Sequence, residues 1–227
     1  MSEASGKADR NKERRKLLDV DGPVISFLTK TGELILLSLI WVVFSLPIIT
    51  IGASTTALYY SVVKNIRKNR GYPVKEFYKS FKRSFKNATF VTIIGLLWGA
   101  ALYRLTMIAV SLKSTQGSFL VRVYTIVAVV TIAVLIYVFP VISRFSISAR
   151  ESMGLAFVMA GRCIGYTIIL LAGAGVTVYL CIFYIPLLAI LIIPSFWTLL
   201  SSFLIEKALR IYMPEPEEGD TDKWFYK

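Results

Sequence analysis

Apolar residues run through this chain in long blocks, and polar residues are confined to the gaps between them. The blocks are Leu34–Val63, Thr89–Leu112, Phe119–Ile142 and Ile164–Phe203. About 20 consecutive apolar residues cross a bilayer as a helix, so each block is a membrane element. The last one is 40 residues without a formal charge. It therefore divides into two spans, with a turn near Phe183-Tyr-Ile-Pro186. The first is interrupted by Pro47, followed by Gly52-Ala-Ser54, and helical character resumes from Thr55. The pattern predicts an all-α polytopic transmembrane bundle of about six membrane helices, the first two forming a proline-broken hairpin. A polar tail over residues 1–23 precedes the membrane domain (24–211). An acidic tail over 212–227, reading as disordered, follows it.

Between the first two blocks, Lys64–Asn87 has a different rhythm. Nine basic residues (Lys64, Arg67, Lys68, Arg70, Lys75, Lys79, Lys82, Arg83 and Lys86) face one acid, Glu76. Val74, Phe77, Tyr78, Phe81 and Phe85 recur between them at helical spacing. That pattern predicts a basic amphipathic helix lying in the membrane interface against anionic headgroups. Interleaved aromatic and basic residues also suit single-stranded nucleic acid, but flanking spans tether this segment to the bilayer. No nucleic-acid partner is expected. Ser143–Cys163 is a second, shorter amphipathic stretch.

Composition narrows the chemistry. The chain of 227 residues is 56% hydrophobic and 18% charged, with a net charge of +12. Soluble domains carry about 25% charged residues. There is no histidine, and of 14 acids only Glu76 and Glu151 lie between Glu33 and Glu206. No proton relay, metal site or activated nucleophile can be assembled from the central segment. We therefore expect no enzyme, no cofactor and no metal. Cys163 and Cys181 fall near opposite ends of one predicted helix, about 27 Å apart, too far for a disulfide.

Positive charge sets the orientation. The basic residues cluster in the N-terminal segment, in 64–87, in 143–163 and in the C-terminal tail. Placing these segments on the cytoplasmic side of a bacterial cell membrane makes the protein multi-pass with both termini inside. Residues 34–63 must then leave on the side they enter. Five spans with the N-terminus outside is the alternative. A basic start before an apolar stretch also raises a signal peptide, but the only fitting cleavage point, after Ala53, lies too deep in the chain.

Arg104 is the charge most deeply placed in a span. It is expected to snorkel outward, to bond the broken backbone near Pro47, or to meet a ligand at the Pro47–Gly52 break. Gly95-Leu-Leu-Trp-Gly99 and Gly161-Arg-Cys-Ile-Gly165 match the small-xxx-small pattern, which predicts helix packing within the chain or against a partner.

The stretch from Gly32 to Tyr60, with its Ser-Leu-Pro-x-x-Thr-x-Gly-Ala core, resembles the YesL-like family of bacterial membrane proteins. Phe77-Tyr-Lys-Ser-Phe-Lys82 and Pro140-Val-Ile-Ser-Arg-Phe145 extend the likeness from about Val24 to Ile211. The resemblance implies a setting in sugar acquisition and no defined activity. It points to an accessory or regulatory component bound to a transporter or sensor membrane protein. The alternative is a small-solute transporter, or a permease-like subunit working with a partner ATPase.

Overall fold

A computed structural model describes residues 23–212, except 70, 113, 146, 184 and 185. The two expected tails, residues 1–22 and 213–227, lie outside the described residues. The described residues form seven α-helices: α1 (Pro23–Ser45), α2 (Ile51–Ser61), α3 (Pro73–Ser111), α4 (Thr115–Arg144), α5 (Ala149–Arg162), α6 (Ile164–Phe183) and α7 (Pro186–Arg210). A 3₁₀ turn, Ile48–Thr50, joins α1 to α2, and a π-helical turn, Val62–Arg67, follows α2. This is the expected all-helical membrane bundle.

α1 and α2 form the hairpin that Pro47 predicts. The break exposes carbonyls that lipid could not satisfy. Thr50 meets them from within, its hydroxyl lying 2.7 Å from both Phe44 O and Pro47 O. The tip itself is apolar and exposed, at Leu46, Ile48 and Ile49. Neither arm is long: the charge-free residues are Leu34–Ser45 on one and Ile51–Val63 on the other. At 1.5 Å per residue these reach about 18–20 Å, well short of a hydrocarbon core of about 30 Å. Segment Ile25–Ser45 passes as a span by length and composition, but Lys30 and Glu33 lie within it. The first arm reaches span length by including Lys30 and Glu33, and the second arm is shorter.

α2 is the core helix. Gly52–Ser54 and Thr56–Ser61 are all buried; Ser61 Oγ donates to Pro73 O at the start of α3 at 2.7 Å, while the hydroxyls of the first turns fold back along the chain. Ser54, Thr55 and Thr56 donate to the carbonyls four residues earlier. Gly52 brings α2 against α3 and α4: a Cβ there would meet the Thr92 hydroxyl, the Phe139 ring and Ala88 O. Gly173 does the same for α6 and α7, facing the Trp197 ring.

α3 and α4 form a long antiparallel pair. Gly95 faces Leu135, and Trp98 Nε1 donates to Thr131 Oγ1 at 3.2 Å. α3 corrects the sequence reading of 64–87. The basic segment from Pro73 is the first part of one 39-residue helix that continues into the span, not a separate helix lying flat. Part of its aromatic stripe is also turned inward. Phe77 is 1% exposed, and the rings of Phe77 and Phe81 pack edge-on against Phe44 at 5.6 and 4.9 Å.

α5 starts at a capping box. Ser148 Oγ accepts from Glu151 N, and Glu151 Oε2 accepts from Ser148 N. Ser148→Ala is expected to lower stability by about 1 kcal/mol, read as a reduced thermal midpoint in detergent. At Cys163, which is buried with a free thiol, the chain bends by 99° into α6. The two cysteines therefore do not share one helix. Cys163 sits at the bend and Cys181 within α6.

Candidate functional site

Three elements converge at the end of the bundle where the basic residues gather. α4 ends on Arg144, α7 carries Glu206, and α2 contributes Tyr59. Glu206 Oε1 accepts from Arg144 Nε at 3.0 Å, from Arg144 Nη2 and from Tyr59 OH at 3.0 Å. The Arg144 side chain is 1% exposed and that of Glu206 8%. Local phase explains why Glu206 points inward: Ile205, Ala208 and Leu209 are all buried on the same face of α7. One carboxylate oxygen thus receives three donors from two different helices. The cluster is a brace that ties the ends of three helices together.

The sequence pattern does not reveal this cluster: Glu206 lies near the end of the expected membrane domain and Arg144 in the second amphipathic stretch, with nothing local to connect them. A carboxylate is buried in the bundle after all. The sequence signal was its helical phase between Ile205 and Ala208-Leu209.

The nine basic residues separate into groups. Lys64 pairs with Glu76 at 2.7 Å. Arg67 Nη1 donates to Ser202 O at 3.0 Å, and its guanidinium stacks 4.3 Å from the Phe203 ring centre. Arg83 Nη2 donates to Ser143 O at 3.0 Å and lies over the Tyr60 ring. Lys68 lines a groove beside Arg67. Arg70 lies outside the described residues. Lys75, Lys79, Lys82 and Lys86 are exposed. Spaced four, three and four apart, they form a single stripe along α3. This last group is the one that faces outward along the helix, as the expected headgroup-facing role requires.

Arg104 is exposed and not at the hairpin break. The neighbours of Gly52 on α3 are Ala88 and Thr92. Arg104 lies twelve residues beyond Thr92, about 18 Å along the helix. The freed carbonyls are held by Thr50, and Pro47 is exposed. The joint site of Arg104, Pro47 and Gly52 is therefore not formed. Arg104 stands seven residues before Ser111, and Arg122 stands seven after Thr115. The two exposed arginines thus share a height on the α3–α4 pair. From Arg122 to Arg144 is 22 residues, about 33 Å, close to one hydrocarbon thickness. Arg104 and Arg122 suit the far headgroup layer, as snorkelling predicts.

The glycine motifs also need correction as intrachain packing surfaces. Gly95 makes ordinary contact with Leu135, but Gly99, Gly161 and Gly165 have open space where a Cβ would stand. Gly161 and Gly165 lie on either side of the bend at Cys163, in different helices. A small-xxx-small face needs one continuous helix, so this pair does not form one. Gly95 and Gly99 do share α3.

A groove of about 670 Å³ opens between α1, the π-helical turn and α7. A smaller cleft of about 260 Å³ lies between α2, α4 and α7, with Thr55, Thr198 and Ser201 among apolar side chains.

Comparison with known proteins gives two matches. Residues 34–104 match a family described as "Protein of unknown function, DUF624". The chain is also 28% identical over 166 residues to "Uncharacterized protein YesL" of Bacillus subtilis (strain 168), covering 71% of this chain and 78% of that protein. No solved structure matches.

Proposed function

We propose that this YesL-like chain is a non-catalytic accessory or regulatory protein of the bacterial cell membrane, acting on a partner membrane protein of carbohydrate uptake. The setting in sugar acquisition rests on the family resemblance. The accessory role rests mainly on α3. Along one outward face this helix presents Lys75, Lys79, Lys82 and Lys86, and further along, on a different face, the open Gly99. The lysines precede the charge-free stretch Asn87–Tyr103, so they stand at and beyond headgroup height. Anionic lipid is their resting partner, and an acidic surface of a second membrane protein competes for them. By the positive-inside rule this is the cytoplasmic side. The α1–α2 hairpin enters and leaves there, which keeps both termini on that face.

The test is to tag the C-terminus, extract the protein from its native membrane in mild detergent and identify what co-purifies. Stoichiometric transporter or sensor subunits are expected with the wild type. A Lys79→Glu, Lys82→Glu variant should lose them at least tenfold while keeping its thermal midpoint. Recovery of the wild-type chain alone would overturn this reading. Transport of a small solute through the hydroxyl-bearing cleft between α2, α4 and α7 would then lead.

A further inference from the structure

The groove between α1, the π-helical turn and α7 has a chemically divided lining. Its walls are apolar, with Phe27 and Leu34 on one side and Phe196 and Leu199 on the other. Its charges are all positive: Lys30, Arg67 and Lys68. The charges sit toward the end of the groove marked by Phe27 and Phe203. Arg67 is anchored to Ser202 and lies over Phe203, two helical turns from Phe196. The other end is confined where α1 and α7 are joined. There Ser38 Oγ donates to Ser195 Oγ at 2.8 Å, next to Phe196 in sequence, and both serines are fully buried.

We propose that this groove binds one anionic phospholipid from the leaflet on the basic side, its acyl chain along Leu34 and Phe196 and its phosphate against Lys30, Arg67 and Lys68. The inference does not depend on the accessory reading.

Three observations carry it. The apolar walls suit a hydrocarbon chain and no hydrated solute. The cations lie toward one end, as a headgroup requires, and none of the described residues lining the groove is acidic. Glu33, one turn from Lys30, lines a neighbouring polar recess with Asn65 and Asn69, a recess that Lys30 also borders. Arg67 is also held in place before any ligand arrives. Its Nη1 is committed to Ser202, and a guanidinium carries five N–H donors in all. Burial, and then the positive charges of Arg210 and Arg67, hold the Lys68 ammonium below its ordinary pKa. A bound phosphate would relieve that repulsion.

The test uses the full chain purified in a neutral detergent, with native mass spectrometry and thermal unfolding as readouts. Phosphatidylglycerol is expected to be retained one per chain and to raise the unfolding midpoint, whereas phosphatidylcholine and inorganic phosphate do neither. Lys30→Gln combined with Lys68→Gln should weaken retention at least about tenfold, since each cation near a headgroup contributes about 1 kcal/mol. Arg67 is left intact because it also supports α7. Leu199→Trp, which fills the groove without touching the charges, should abolish retention independently. Lys79→Gln with Lys82→Gln, on the outer stripe, should leave it unchanged. Equal retention of phosphatidylcholine, or full retention by the Lys30/Lys68 variant, overturns the proposal. Protection by inorganic phosphate alone would replace it with a soluble-anion site.

Discussion

Replacing Glu206 with alanine is expected to lower the stability of the folded bundle by about 3–5 kcal/mol. The figure follows from what the substitution leaves behind. Arg144 keeps a permanent charge with its side chain 1% exposed, and its Nε and Nη2 lose their acceptor. The Tyr59 hydroxyl, also buried, loses its acceptor at the same time. Removing both charges is a different experiment. Arg144→Met with Glu206→Leu leaves no orphaned ion, and replacing a whole buried pair by apolar side chains is often neutral or stabilising. The double variant should therefore recover most of the loss. The check is a double-mutant cycle on denaturation in mixed micelles. If Glu206→Ala loses less than about 1 kcal/mol, the pair is solvated and the bracing role fails.

That cluster also marks where sequence reading stopped. Spans were legible because hydrocarbon leaves no choice: uncharged blocks of about 20 residues must be buried in it. The break at Pro47 was legible because proline removes a backbone donor whatever surrounds it. Partners far apart in sequence leave no such trace. Arg144 and Glu206 are 62 residues apart, and no local spacing connects them. The burial of α2 was equally hidden. Its small and hydroxylated residues have weak periodicity, and they are buried because four neighbouring helices surround them. Phe77 and Phe81 were assigned to the interface for the same reason. An apolar face on a basic helix fits lipid and fits another helix, and only the presence of Phe44 decides.

The Ser-Leu-Pro-x-x-Thr-x-Gly-Ala core, which carries the family likeness, now has a physical account. Pro47 breaks the helix, Thr50 binds the carbonyls that the break frees, and Gly52 lets α2 touch two neighbours at once. Each of these residues builds the fold, and none has to hold a ligand. Gly52 gives this account its sharpest test. A Cβ at position 52 would stand 2.9 Å from Ala88 O and 2.5 Å from the Phe139 ring, and it would collide with Thr92 Oγ1. The Thr92 hydroxyl donates to that same Ala88 carbonyl at 2.8 Å, so it is not free to swing away without loss. Gly52→Ala should therefore destabilise by about 1–3 kcal/mol, although alanine ordinarily favours a helix over glycine by up to about 1 kcal/mol. Gly52→Val should prevent the protein from accumulating in the membrane. Gly154→Ala, on an exposed helical site with nothing within 4 Å, is the matched control and should be neutral or slightly stabilising. Thr92→Ala removes the nearest obstacle but not the backbone oxygen, so it should rescue Gly52→Ala only in part. Complete rescue would mean that the side chain alone sets the approach. No effect of Gly52→Ala at all would mean that α2 does not sit as closely on α3 as this structure places it, and the core would then need another explanation.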